Sequence, residues 1–158
     1  MHHGKAMLLL LKMLRKTAVR KNILIDTGFW IALYNTRDQY HENANEIIEL
    51  IRNENILIPW PTLYEFLNTR FVKDPRRIEG FAIFVKKSVT LIDDAEYRAE
   101  AFNIFFGSFN KKNRKTLSLV DLIIREILTD TSLKIDYLAT FNSGDFADVC
   151  QRRQIEIL

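Results

Sequence analysis

The sequence predicts one α/β domain built on a mainly parallel sheet, and three observations predict it. Four short aliphatic runs, at 23–25, 56–58, 89–92 and 137–141, read as strands, and the first, Ile23-Leu24-Ile25, is unbroken rather than alternating, as in a strand covered on both faces. Helical periodicity fills the chain between successive strands, and parallel neighbours need such crossovers. With 158 residues, 47% of them apolar, the chain suits a single well-buried core, and no repeat, linker or low-complexity tract divides it.

The elements follow in order. Residues 1–21 read as an apolar and basic extension ahead of a domain spanning 22–158. The most apolar part of the extension, Met7 to Leu14, is interrupted by Lys12 and falls well short of the roughly 20 apolar residues of a membrane span. Arg15, Lys16, Arg20 and Lys21 follow without a small-residue cleavage site, so neither a membrane anchor nor a secretory signal is expected. A short, partly disordered amphipathic helix or a basic arm for RNA or a partner suits this composition. After the first strand a helix is expected from Thr27 to Tyr34, and the polar stretch Asn35 to Gln39 is a loop. Ala44, Ile47, Ile48 and Ile51 then recur at helical spacing within His41 to Arg52.

The second strand, Ile56-Leu57-Ile58, is stopped by Pro59, and a helix beginning near Pro61 or Thr62 turns Leu63, Phe66, Leu67 and Phe71 inward. A break at Lys73-Asp74-Pro75-Arg76 precedes a helix from Ile78 to Lys86 and a third strand at Val89 to Ile92. Asp93-Asp94 is expected to open a long helix reaching Phe109, with Ala99, Phe102, Phe105 and Phe106 inside. A basic loop, a strongly apolar helix from Leu119 to Thr129, a fourth strand from Tyr137 to Phe141 and a weak terminal strand from Ile155 to Leu158 complete the chain. The architecture expected is therefore three-layered, with four to five strands flanked by helices.

Net charge is +3, a mild excess that suits a polyanionic partner without requiring one. The single cysteine, Cys150, excludes an internal disulfide, a multi-cysteine zinc site and a Cys-x-x-Cys redox motif, and suits a reducing, cytoplasmic setting.

Chemistry is concentrated in acids at the strand ends. In open parallel sheets ligands bind beyond the carboxyl ends of the strands. Asp26 ends the first strand, Glu65 follows the second, Asp145 follows the fourth, and Asp121 lies in the first turn of the helix leading to it. Carboxylates gathered without His or Cys are the ligand set of Mg²⁺ or Mn²⁺. Each acid also has a plain structural reading. Asp26 can cap the helix that follows it, Glu65 can be a solvated helix position, Asp121 completes a capping-box spacing with Ser118, and Asp145 sits in a turn sequence.

These residues carry a resemblance. Ile23-Leu24-Ile25-Asp26-Thr27, Pro61-Thr62-Leu63-Tyr64-Glu65, Leu117-Ser118-Leu119-Val120-Asp121 and Leu138-Ala139-Thr140-Phe141-Asn142 with Asp145-Phe146 resemble, in order and spacing, the successive motifs of PIN domains. In size the chain resembles the toxin ribonucleases of VapBC-type toxin–antitoxin modules more than larger PIN proteins. The resemblance implies a metal-dependent endoribonuclease in which Asp26, Glu65 and Asp121 hold Mg²⁺ or Mn²⁺, with Thr27 and Thr140 as polar helpers. Many members carry aspartate where this chain has Asn142, so either Asn142 is a neutral partner of the site or Asp145 takes the fourth acidic role. A cognate antitoxin, whose segment would cross the site, and a homodimer are the implied protein partners.

RNA must then be held by fixed positive charge. Lys111, Lys112, Arg114 and Lys115 are the best candidates, with Arg70, Lys73, Arg76 and Arg77 as another patch. Trp30, Tyr34 and Tyr64 are either base-stacking or core residues. Asp26-Thr27-Gly28 also matches a retroviral-type aspartic protease, but that fold is all-β. Gly28 stands where a haloacid-dehalogenase phosphatase needs a second Asp, and the acidic pair of a response-regulator receiver is missing. Two rivals remain open: a PIN fold that has lost activity and serves as an RNA-binding or protein-interaction module, and a housekeeping RNA-processing nuclease.

Overall fold

An unbroken aliphatic strand must lie between two apolar layers, and that is where the computed structural model, which describes residues 19–107 and 117–158, places Ile23 to Ile25. β1 (Asn22–Ile25) is the centre of a five-stranded sheet with β2 (Asn55–Pro59), β3 (Val89–Ile92), β4 (Tyr137–Ala139) and β5 (Glu156–Ile157). Strand order is β3-β2-β1-β4-β5, and every neighbouring pair is parallel. The chain winds outward from β1 to β3, then returns to the other side of β1, so the topological switch point lies between β1 and β4. That crevice is where a parallel sheet binds ligands.

Seven α-helices are described: α1 (Thr27–Tyr34), α2 (His41–Ile51), α3 (Trp60–Leu67), α4 (Pro75–Ser88), α5 (Arg98–Gly107), α6 (Leu119–Thr129) and α7 (Ala147–Arg153). Alternation along the strands sorts the core into two layers. Ile23, Ile25, Ile56, Ile58, Tyr137 and Ala139 face α1 to α4, where Phe29, Trp30, Phe66, Phe71 and Phe81 form an aromatic core. Leu24 and Leu138 face the opposite layer, where Ala101 of α5, Ile124 and Ile127 of α6 and Val149 and Cys150 of α7 pack. Each fully buried aliphatic side chain contributes roughly 1.5–3 kcal/mol of transfer free energy. None of the described helices is long and apolar enough to cross a membrane.

The structure departs from the sequence reading at several places. The helix expected to open at Asp93-Asp94 starts at Arg98, because residues 95–97 form a turn in which Tyr97 and Arg98 bond the Asp94 carbonyl at 3.0 and 3.1 Å. Its inward residue is Ala101, whereas Ala99 is exposed and Phe102 and Phe106 are 52% and 54% exposed. Phe105 is half-buried. Apolar residues at 101, 102, 104, 105 and 106 run around the whole helix, and only one side can meet α6.

The fourth strand ends at Ala139 rather than Phe141, and α7 was not expected at all. Phe71 is buried as expected but from a separate 3₁₀ turn, Arg70–Lys73, while Leu67 is only half-buried. Trp30 is 1% exposed and Tyr34 packs in tilted and edge-on contacts against Phe66, Phe71 and Phe81, so both are core residues and not base-stacking ones. Lys111, Lys112, Arg114 and Lys115 and the first 18 residues lie outside the described residues.

Candidate active site

Asp26 is the first residue past β1, and its amide continues the sheet by donating to the Ala139 carbonyl at 3.1 Å. It therefore stands at the β1–β4 switch point. It also caps α1: its Oδ1 accepts from the Thr27 amide at 2.6 Å. Its other oxygen, Oδ2, accepts from Thr140 Oγ1 at 2.9 Å, from the residue directly after β4. Asp26 is 6% exposed, Thr27 5% and Thr140 3%, so this is a buried polar knot at the sheet's carboxyl edge.

Glu65 arrives on α3, which begins without a loop at Pro59 and carries Pro61 in its first turn, where a missing N–H costs nothing. Its Oε2 accepts from Thr27 Oγ1 at 2.6 Å. Thr27 thus links the two acids: its amide bonds Asp26 and its hydroxyl bonds Glu65. Asp121 is the third residue of α6 and forms the capping box with Ser118, its Oδ2 accepting from the Ser118 amide at 2.9 Å. The capping roles of Asp26 and Asp121 are both real, and neither uses up the carboxylate's remaining lone pairs.

Electrostatics joins the three acids. The Asp26 carboxyl is raised from 3.8 to about 6, chiefly by burial. Thr140 and the Thr27 amide pull it back down, and the negative charges of Asp121 and Glu65 push it further up. No Lys or Arg forms an ion pair with any of the three among the described residues. A buried acid with two like-charged neighbours and no cationic partner is the donor chemistry of a hard divalent cation, so the residues present fit one. Among the described residues no three His, Cys, Asp or Glu side chains are already gathered at ligating separation. Asp26 and Glu65 rest on hydroxyl or amide donors and Asp121 on its cap.

The fourth position is occupied differently. Asn142 donates its amide to Thr140 Oγ1 at 3.0 Å and its side-chain Nδ2 to Asp145 Oδ2. The Asp145 backbone carbonyl accepts from Arg125 of α6, which also grips Asp148 of α7 through both guanidinium nitrogens at 2.7 and 2.6 Å. Sequence reading missed Arg125 and Asp148. The available signal was the one cation of this helix, four residues past Asp121 and so on the same side.

Beside the acids an open groove of about 820 Å³ runs from Glu65 between α3, α5 and α6, walled by Tyr64, Leu67, Phe102 and Leu119. Tyr64 is 63% exposed and stacks on Trp60 with ring centres 5.5 Å apart. In the basic patch, Arg77 is tied to Asp74 at 3.1 Å and to the Tyr34 carbonyl at 2.7 Å, while Arg70, Lys73 and Arg76 are exposed. Cys150 is buried and its thiol is pushed up to about 11 by burial, which makes it a packing residue rather than a nucleophile.

The raised Asp26 value sets a pH dependence. Any step needing the ionised carboxylate is lost as pH falls through about 6. A ¹³C-detected carboxyl titration of the metal-free protein should place Asp26 near that value, and Thr140→Val, which removes a donor to the charged form, should move it higher. An Asp26 that titrates in the ordinary carboxylate range would contradict this.

No family model and no curated protein matches the sequence. Solved structures do match. Mycobacterium tuberculosis VapC20, described as a sarcin–ricin loop cleaving toxin, aligns with a TM-score of 0.61 at 21% identity, over 80% of this chain and 94% of that one. VapBC2 from Rickettsia felis, bound to a DNA fragment from its promoter, aligns with a TM-score of 0.54 at 16% identity, over 87% of this chain and 97% of that one. At these identities the likeness is one of fold. It is the fold of the VapC-type PIN proteins that the four sequence motifs resemble.

Proposed function

We propose that the chain is a divalent-cation-dependent endoribonuclease, the toxin of a toxin–antitoxin pair, with Asp26, Glu65 and Asp121 holding Mg²⁺ or Mn²⁺. The observation that carries this is the buried Asp26 carboxyl raised to about 6 between two further acids with no cationic partner among the described residues. Asp26, Glu65 and Asp121 would hold the ion, which would supply a water of lowered pKa and positive charge for the phosphoryl oxygens. The chain's own residues prepare the site. Thr27 and Thr140 hold Asp26 in one orientation and favour its ionised form, Thr27 fixes Glu65 beside it, and the Ser118 cap fixes Asp121.

Fold likeness to a VapC toxin and to a VapBC assembly supports the toxin reading over a housekeeping nuclease. The groove beside Glu65 offers an antitoxin segment an apolar bed from which a basic side chain reaches the acids. Asn142, where many PIN proteins keep an acid, is the feature that favours the inactive RNA-binding reading.

Cleavage of end-labelled RNA by the full chain, titrated with Mn²⁺ and with Mg²⁺, tests the proposal. Cleavage should require the ion, stop with chelator, and fall by about a hundredfold or more in Glu65→Gln, since losing even the outer partners of metal ligands costs 10–100-fold. RNA binding without ion-dependent cleavage in the wild type would establish the inactive module instead. Toxicity on expression, relieved by a small cognate partner, separates the toxin from the housekeeping enzyme. The homodimer that the resemblance implies is part of this proposal, and a monomeric mass at micromolar concentration would count against it.

A further inference from the structure

We infer that Arg125 is a positioning residue of the acidic site, acting through the turn at 142–145 on Asp26; this rests on the reading above only through the divalent ion. Arg125 sits four residues past Asp121, one turn further along α6, with its side chain 20% exposed. Its guanidinium donates to the Asp145 carbonyl and, as a two-pronged fork, to Asp148 at 2.7 and 2.6 Å. From there the contacts run without a gap. The Asp145 carboxylate accepts from Asn142 Nδ2, the Asp145 amide donates to the Asn142 carbonyl at 3.0 Å, the Asn142 amide donates to Thr140 Oγ1 at 3.0 Å, and Thr140 donates to Asp26 Oδ2 at 2.9 Å.

One helix therefore carries both an acid of the site and the clamp that fixes the turn feeding another acid. The charge of Arg125 is paired with Asp148, and its link to Asp26 runs through hydrogen bonds along the turn. Thr140 Oγ1 both accepts from Asn142 and donates to Asp26. A loosened turn therefore costs Asp26 the orientation of its donor, even with every residue near Asp26 unchanged.

Mn²⁺ affinity of the metal-free full chain, read by electron paramagnetic resonance, tests this without RNA. Arg125→Met should weaken binding about tenfold, and Arg125→Lys, which keeps charge but not the fork, should show most of that loss. Thr140→Val should also weaken binding, and the double variant should lose less than the product of the two single losses, because both cut one chain of contacts. A merely structural ion pair between α6 and α7 would leave the two losses independent, and that result, or unchanged affinity in a folded Arg125→Met, overturns the inference. Should Arg125→Met fail to fold, Asp148→Asn takes its place: reduced affinity supports the inference and unchanged affinity overturns it. A wild type that binds no Mn²⁺ would instead bring down the metal reading itself, and the inference with it.

Discussion

Asp26→Asn is expected to abolish RNA cleavage and at the same time make the metal-free protein more stable. The Asp26 carboxyl is raised from 3.8 to about 6 in the folded chain. As pH rises through that window the unfolded chain gives up its proton first, so the folded state is penalised progressively and carries the full cost above about 6. Two units correspond to about 3 kcal/mol at neutral pH, as an order of magnitude. Asparagine keeps the cap on Thr27 and carries no charge to desolvate. It must rearrange its contact with Thr140, so a net gain of about 1–2 kcal/mol is expected, raising Tm by about 2–8 °C for a chain of this size. Cleavage should fall by two orders of magnitude or more. Adding Mn²⁺ should then stabilise the wild type and leave the variant unchanged, since only a protein that binds the ion is stabilised by it. Thermal melts with and without Mn²⁺ at neutral pH read both effects, and an active or destabilised Asp26→Asn would contradict the account.

Phe66→Ala should cost about 3–5 kcal/mol, a large share of the stability of an ordinary domain. Phe66 is 1% exposed and touches Trp30, Tyr34, Phe71 and Phe81, with ring centres 4.5 to 6.2 Å away. These come from α1, α4 and the 3₁₀ turn at Arg70–Lys73, so truncation leaves a cavity where several elements meet. Glu65 precedes Phe66 on α3, so the anchor that seats the helix also sets the reach of the acid. Urea unfolding should show a lower midpoint with unchanged slope. Ile83, on the same layer but 49% exposed, provides the contrast: Ile83→Ala should cost under about 0.5 kcal/mol. A Phe66→Ala loss as small as that would mean the aromatic cluster does not carry this layer.

The sheet was legible because its strands are short aliphatic runs ended by Asp, Pro or a polar turn, and because periodic helices separate them. Ile23-Leu24-Ile25 before Asp26 and Ile56-Leu57-Ile58 before Pro59 needed no distant information to be read as strands. α5 was misread because its apolar residues wrap the whole helix, and only packing against α6 selects Ala101 over Phe102 and Phe106. α7 escaped notice because seven residues with only Ala147, Val149 and Cys150 as their apolar content give too little periodicity. Asp26, Glu65 and Asp121 could be named from strand ends and motif order, but the bonds that organise them could not. Thr27 to Glu65 spans 38 positions and Thr140 to Asp26 spans 114, and local pattern carries no trace of such pairs. Arg125 reaching Asp145 and Asp148 is the same case at a separation of 20 and 23.

Proton release on metal binding tests the central claim most directly. At pH 6 the Asp26 carboxyl is about half protonated, and an ion that takes up its carboxylate must displace what remains. Titrating Mn²⁺ into metal-free protein at that pH, in weak buffer with no RNA present, should release about half a proton per ion bound, with less at pH 7.5 and none in Asp26→Asn. Tight Mn²⁺ binding with no proton release at pH 6, or with affinity untouched by Asp26→Asn, would show that the ion sits elsewhere and that the three acids are not its site.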